Sequence, residues 1–358
     1  MTLTQRIKEK ALDLGFDLIG IAPAQYAPHA GAFRRWLANG YHAGMGWLAR
    51  DPHRREDPRQ VVAGAQSVVV VGVSYFLLDP PPALWNDPSR GRIARYAWGL
   101  DYHDHLLPRL RALGDFVEQE AGRHLAQRAY VDTGPVLERE FAALAGIGFV
   151  GKNTLLISPR FGSYLFLGEI LVDVELEYDS PLPPDPQTAR QTGHRTGTCG
   201  ACTRCLQVCP TQAFPAPYVL NSNRCISYLT IELKGAVPVE LRPLLGNWIF
   251  GCDACQEICP WVRRYSQPGR LPFLHFDPDW AIPRLTDLMA LDDAGFNARF
   301  KGTPVKRAKR RGLLRNVAVA LGNWGSPEAL PVLERALHDP EPLIRDHAAW
   351  AIRQIRNR

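Results

Sequence analysis

The order of apolar and polar positions divides the chain before any motif is considered. Near the N-terminus Ile7, Ala11 and Leu14 recur at helical spacing, which predicts an amphipathic helix. "SVVVVGVSYF" (67–76) is almost continuously apolar and rich in Val, the pattern of a buried strand. "YHDHLLPRLRALGDFVEQEAGRHL" (102–125) has helical periodicity, with Pro108 expected to interrupt its early part. A short strand is predicted over Arg128–Asp132. It runs through Thr133-Gly134 into a helix with Pro135 near its first turn. "NTLLIS" and "SYLFLGEILVDVEL" predict two strands joined at "PRFG". Strands alternating with helices predict an α/β or α+β first part.

A stretch rich in Pro and polar residues, 179–197, reads as a linker. The domains expected are therefore 1–185, 186–265 and 266–358. The last repeats itself: "RNVAVALGNWG" starts at Arg315 and "RDHAAWAIRQI" at Arg345, and Ala318 corresponds to Ala348. The stretch between them reads as the second helix of a hairpin. This is the pattern of a short all-α HEAT-like repeat. Two units are too few to stand alone, so the repeat should dock on the rest of the chain.

Composition narrows the class. Hydrophobic residues make up 46% and charged residues 22%, as in a folded globular protein. The longest apolar run, Val68–Leu78, is broken by Gly72 and Ser74 and is too short to span a bilayer. The N-terminal segment lacks the apolar core of a signal peptide. A cytoplasmic location, without membrane association, is expected. The formal charge of +6 is unevenly spread: Arg299, Lys301, Lys306, Arg307, Lys309, Arg310, Arg311 and Arg315 have no acidic residue among them. Such a run suits a polyanion, or else is a solvated basic loop.

All eight cysteines lie between Cys199 and Cys259. A disulfide scaffold would spread them through a small secreted chain. The pattern here is Cys199-x2-Cys202-x2-Cys205-x3-Cys209-Pro, then Cys225, then Cys252-x2-Cys255-x3-Cys259-Pro. The first run has the spacing of two-cluster ferredoxins, in which the Cys before Pro crosses to the other cluster. In the second run the expected first slot is Ile249, and Cys225 is the spare thiol. The count closes with Cys199, Cys202, Cys205 and Cys259 on one [4Fe-4S] cluster, and Cys209, Cys225, Cys252 and Cys255 on the other. Two four-cysteine zinc sites compete, but zinc needs neither a third Cys at short spacing nor the Cys-Pro ending. Neighbouring clusters make a path for single electrons. No GxGxxG follows a strand, so a Rossmann-bound nicotinamide as its terminus is unsupported.

Several stretches together resemble the epoxyqueuosine reductases: "RYAWGLDYHDHL", "VDTGPVLERE", "GFVGKNTLLI", "GSYLFLGEIL", "CGACTRCLQVCPTQAF", "RCISYLTIELKG" and "FGCDACQEICPW". The resemblance spans essentially the whole chain. It implies a cobalamin-binding catalytic domain over 1–185, a ferredoxin-like insert that feeds electrons to cobalt, and a tRNA-binding helical tail. The substrate would be epoxyqueuosine at the wobble position of tRNA, and the product queuosine. It implies base-off cobalamin with no protein His on cobalt, so the partial match of Asp101-x-His103 to a cobalt-binding motif reads as chance. An external low-potential donor of flavodoxin or ferredoxin type and a monomeric chain are expected.

The resemblance makes Asp132 the proton donor, with capping of the following helix as the competing role. Tyr96, Asp132, Lys152, Asn153, Ser163 and Ser227 are the candidate cobalamin contacts. Tyr102, His103 and Arg139 are candidate contacts to the modified base. Arg139 finds no acid three or four positions away within its helix, leaving solvent as the alternative. Lys306, Arg307, Lys309, Arg310 and Arg311 are the candidate tRNA contacts. Two rivals fit part of this pattern. A reductive dehalogenase shares the cofactors but usually carries an export signal. A pure electron carrier leaves the large first domain without a task.

Overall fold

The structure, a computed structural model, describes residues 1–184 and 197–358. The middle of the expected linker, and the boundary drawn at 185, lie outside the described residues. Four strands form the main sheet: β1 (Leu18–Pro23), β2 (Ser67–Ser74), β3 (Gln127–Tyr130) and β4 (Leu165–Val172). Their order is β1-β2-β4-β3 and every pairing is antiparallel. The first part is therefore α+β.

β2 is buried at every position because both faces of the sheet are covered. Val69, Val71 and Val73 face α1 (Leu3–Asp13) and α2 (Tyr102–Ala121), against Ile7, Leu110 and Leu113. Val68 and Val70 face the opposite layer, against Phe141 and Ala142 of α3 (Glu138–Leu144). α2 runs straight through Pro108. A proline there removes one backbone donor, but Leu106, Leu110, Leu113 and Val117 are buried along the same face and hold the helix. Gly122, in the left-handed region, ends it.

Two local expectations are corrected. α3 begins at Glu138 rather than near Pro135, because residues 132–137 form a loop whose Gly134 carbonyl accepts from Arg55 Nη1 at 3.1 Å. The "NTLLIS" strand does not pair with the following strand. Leu156–Ile157 instead pairs antiparallel with Phe149–Val150.

The tail folds into α4 (Lys309–Trp324), α5 (Leu330–Ala336) and α6 (Pro342–Arg356), and the repeat docks as expected. From Gly312 to Gly322, α4 is buried on all sides, as a central helix must be. One hydrophobic core joins Leu313, Val317 and Ile344 of this tail to Ile226, Trp248 and Phe250 of the cysteine region, and to Ile93 and Trp98. Polar clamps fix the docking. Asn316 donates to the carbonyls of Thr230 and Ile249, both at 2.8 Å. Arg315 donates to the carbonyls of Leu229, Leu233 and Gly235. No described helix is long and apolar enough to cross a membrane.

Candidate active site

Asp132 lies two residues past the end of β3, in the left-handed region at φ 57°. A β-carbon makes that conformation costly, and such strain is held only where the surroundings enforce it. Asp132 does not cap α3, which starts six residues later with Leu137 at its cap and no side-chain cap bond. Its carboxylate instead accepts from the Tyr102 hydroxyl at 2.8 Å, and His103 Nε2 stands 3.9 Å from the same oxygen. The side chain is 54% exposed, so the carboxyl remains open to a reactant.

Asp101 orders the imidazole of His103. It caps α2 by accepting from the His103 amide, and its carboxylate also holds His103 Nδ1 at 2.6 Å. Burial pulls the His103 pKa down, but the Asp101 hydrogen bond and charge outweigh it and leave the imidazole pKa raised. Tyr102 stacks on Phe166 at 4.2 Å and meets Tyr96 edge-on at 6.3 Å. Burial and the Asp132 charge push the Tyr102 phenol far up, so it stays a donor.

Tyr96 connects this corner to the cysteines. It packs on Phe250, and Gly251 follows at φ 70° directly before Cys252. A β-carbon on Gly251 would lie 2.5 Å from Ala94 Cβ. Gly251→Ala should therefore cost about 2–4 kcal/mol and lower iron content, read by thermal melting and iron assay. Arg95 reinforces the joint. Its amide donates to Asp253 at 2.8 Å and its guanidinium to Glu257 at 2.6 Å.

The thiols fall into two neighbouring groups. Cys199, Cys202, Cys205 and Cys259 line one cavity of about 170 Å³ with Asn153, Ile157, Pro260 and Trp261. The charge of Cys225 reaches Cys252 and Cys255, and that of Cys209 reaches Cys225 and Cys255; Cys255 also feels Cys205 of the first group, which places the two groups side by side. All eight are free thiols. Burial pushes Cys199, Cys205, Cys225, Cys252 and Cys255 up, so ligation must displace protons. Among the described residues no three Cys, His, Asp or Glu side chains converge closely enough for a single ion. A zinc site needs four sulfurs at about 2.3 Å from one centre. Thiols spread around a cavity suit a multi-iron cluster.

The remaining candidates divide. Lys152 and Asn153 sit against the first thiol group: the Lys152 amide donates to Cys199 Sγ at 3.5 Å and its Nζ to the Gly200 carbonyl. Asn153 is buried, with its Nδ2 unpartnered. The Ser163 hydroxyl donates to Gln256 beside Cys255, and Ser227 presents its amide to Cys225. Arg139 donates to the Thr154 carbonyl, and its charged neighbours are Glu138 and Asp132.

The basic run does not act as one patch. Arg315 is 1% exposed and structural. Arg310 pairs with Asp339, with only 12% of its side chain exposed, and donates to the Leu291 carbonyl. Arg310 is thus corrected from a tRNA contact to a structural tie. Arg307 pairs with Glu232 at 2.5 Å, yet its charge also reaches Tyr96 and His103. Lys306 is held by Asn297. Lys309, at φ 59°, and Arg311 line a cavity of about 240 Å³ with Lys234 and Gly312. The loop ahead of this run is tied to the site, since the Gly302 carbonyl accepts from the Asp101 amide at 2.8 Å. The sequence reading missed the His103–Asp101 pairing, the Arg95 network and a buried carboxyl at Glu169. For Glu169 the available signal was an acid inside the apolar strand "LFLGEILV".

Comparison with known proteins agrees with this geometry. Three family profiles match: the 4Fe-4S double cluster binding domain over 198–262, Epoxyqueuosine reductase QueG, DUF1730 over 55–133, and HEAT repeats over 307–358. The epoxyqueuosine reductase of Pseudomonas aeruginosa is 41% identical, covering 98% of this chain and 94% of that protein. That of Escherichia coli is 38% identical, covering 98% and 89%. An epoxyqueuosine reductase solved with an epoxyqueuosine-modified tRNA-Tyr stem loop superposes with a TM-score of 0.87 at 33% identity, covering 99% of this chain and 90% of that one. The Bacillus subtilis enzyme, solved with an aspartate-bearing catalytic loop swung out of its active site, gives 0.82 at 32% identity over 99% and 90%. With relatives this similar along nearly its full length, and with a double-cluster cysteine region joined to a HEAT-type tail, the chain belongs to the epoxyqueuosine reductase family.

Proposed function

We propose that this chain reduces epoxyqueuosine in tRNA to queuosine, with Asp132 as the proton donor. The observation that carries the reading is the Asp132 carboxyl, strained, open to a reactant, bonded to Tyr102 and joined through Tyr96 to the cysteine loop. Removing an epoxide oxygen takes two electrons and two protons, and leaves an alkene and water. The departing oxygen needs a proton, because an alkoxide leaves poorly. Tyr102 aims the Asp132 carboxyl, and Asp101 fixes the His103 imidazole beside it.

When bound, the two [4Fe-4S] clusters pass single electrons and cobalamin supplies the low-valent metal that accepts them. The two cysteine groups would hold the clusters. Cobalamin would lie among Tyr96, Asp132, Lys152, Asn153, Ser163 and Ser227. The buried Asn153 Nδ2, without a partner, fits a large ligand rich in amide groups, and the unpartnered His103 Nε2 suits a contact to the modified base. A flavodoxin- or ferredoxin-type protein would supply the electrons. The division into a catalytic part over 1–185, a cluster part over 186–265 and a helical part over 266–358 follows these tasks.

The anticodon arm would reach the site along Lys306, Arg307, Lys309 and Arg311, and Arg139 would contact the modified nucleotide. Replacing Lys309 and Arg311 with Ala should reduce the salt slope of tRNA binding by roughly 1–2, measured by filter binding across ionic strengths. Arg310→Ala should leave that slope unchanged and lower the melting temperature instead. An electron carrier without its own chemistry would leave the Asp132 corner with no task. The deciding experiment is nucleoside mass analysis of epoxyqueuosine-bearing tRNA after anaerobic incubation with the reconstituted enzyme and a low-potential reductant. Loss of one oxygen is expected, and an unchanged nucleoside would refute the reading.

A further inference from the structure

Glu169 is the middle of β4, opposite Val70 and Tyr130, on the face of the sheet covered by α3. It is fully buried, and neither carboxylate oxygen has a donor. Its neighbour is the carboxyl of Glu138, the first residue of α3, which itself has one buried oxygen without a partner. Two carboxylates side by side, with three of their four oxygens lacking donors, are strongly disfavoured as a doubly ionised pair. A proton between them supplies the missing donor and removes the repulsion.

The pair stands directly behind the catalytic corner. Glu138 faces the Asp132 charge and the Asp132 backbone amide across the 132–137 loop. The other groups facing the pair are Arg139 on α3, Arg55 on the helix Pro52–Glu56, Tyr102 on α2 and Tyr130 on β3. Neither arginine is bonded to it. Arg139 is spent on Thr154, and Arg55 on the Gly134 carbonyl. Burial, then the charges of Asp132 on Glu138 and of Glu138 on Glu169, raise both carboxyl pKa values.

We propose that Glu138 and Glu169 share one proton and act as positioning residues that recharge Asp132 within each turnover. The proposal rests on the functional reading above. Each turnover puts two protons on the epoxide oxygen, while Asp132 holds one. The first step breaks the Asp132 O–H bond and forms an O–H bond to the substrate oxygen. The shared proton then passes from the pair to Asp132, which delivers it in turn and releases water. Bulk water returns a proton to the pair as the shared one leaves, so the pair does not persist doubly ionised. Both electrons come from the reductant and none from the carboxyls.

Glu138→Gln and Glu169→Gln test this, since glutamine keeps the shape but cannot release a proton. In resting holoenzyme at pH 7, the infrared spectrum should show a protonated-carboxyl stretch that Asp132→Asn leaves in place and that either glutamine variant removes. Turnover in the variants should fall at least tenfold with KM within twofold, and the alkaline limb of the pH profile should move down by a unit or more. Stability gives an independent readout. A raised folded pKa means the native state keeps a proton that the unfolded chain has lost. Wild-type stability should therefore fall as pH rises above about 4.5, by about tenfold in the unfolding constant per unit for one retained proton. Each variant should flatten that fall. Absence of the infrared band from wild type, or an unchanged turnover profile in both variants, would overturn the proposal. If wild type shows the band but converts no epoxyqueuosine, the functional reading fails while the shared proton stands.

Discussion

Asp132→Asn should lower epoxyqueuosine turnover by about 10²–10⁴-fold, the usual worth of a positioned general acid, while iron content and cofactor binding stay at wild-type levels. Asparagine tolerates the left-handed backbone at this position and still accepts from Tyr102. What it loses is the transferable proton. The measurement is single-turnover formation of queuosine on prereduced enzyme, which separates proton delivery from electron supply. Undiminished single turnover would remove Asp132 from the mechanism. Tyr102→Phe serves as the control for aim: it removes the bond that orients the carboxyl but not the acid itself, so its loss should be smaller.

The cysteine variants should group crosswise. Cys209→Ala should lose one whole cluster and drop turnover to background, because a cubane held by three thiolates is labile and its interruption ends the electron path. Its residual electron paramagnetic resonance signal should match that of Cys255→Ala, not that of its sequence neighbour Cys205→Ala. Cys259→Ala should in turn match Cys202→Ala. This follows from Cys259 lining the cavity of the first run without Cys209, and from the charge of Cys209 reaching Cys225 and Cys255. Grouping by sequence neighbour would overturn the assignment.

What the sequence made legible was what its local spacing encodes. The cysteines declare themselves because thiolates three and four residues apart are already a ligand set. β2 was legible from its run of valines, and the tail from a repeated apolar pattern. What stayed hidden depends on contacts between distant residues. Arg310 looked like its neighbours until Asp339, on the far side of the helical hairpin, claimed it. Glu169 sits in a strand whose alternation says nothing of the carboxyl it meets on α3. The true start of α3 was obscured because a proline after Thr-Gly is an ordinary helix opening, and only the Arg55 bond to Gly134 explains the extra loop.

The crossed arrangement of the cysteines bears on how the protein is made. Each group takes thiols from both runs, so neither can close until the second run has left the ribosome. Iron offered earlier would meet Cys199, Cys202 and Cys205 without Cys259, and Cys209 and Cys225 without Cys252 and Cys255. The clamps from Arg315 and Asn316 to the segment after Cys225 come later still in synthesis. With this assignment, a chain stopped before Cys252 should mature neither cluster, and one stopped before α4 would have to hold both without the helix that braces them.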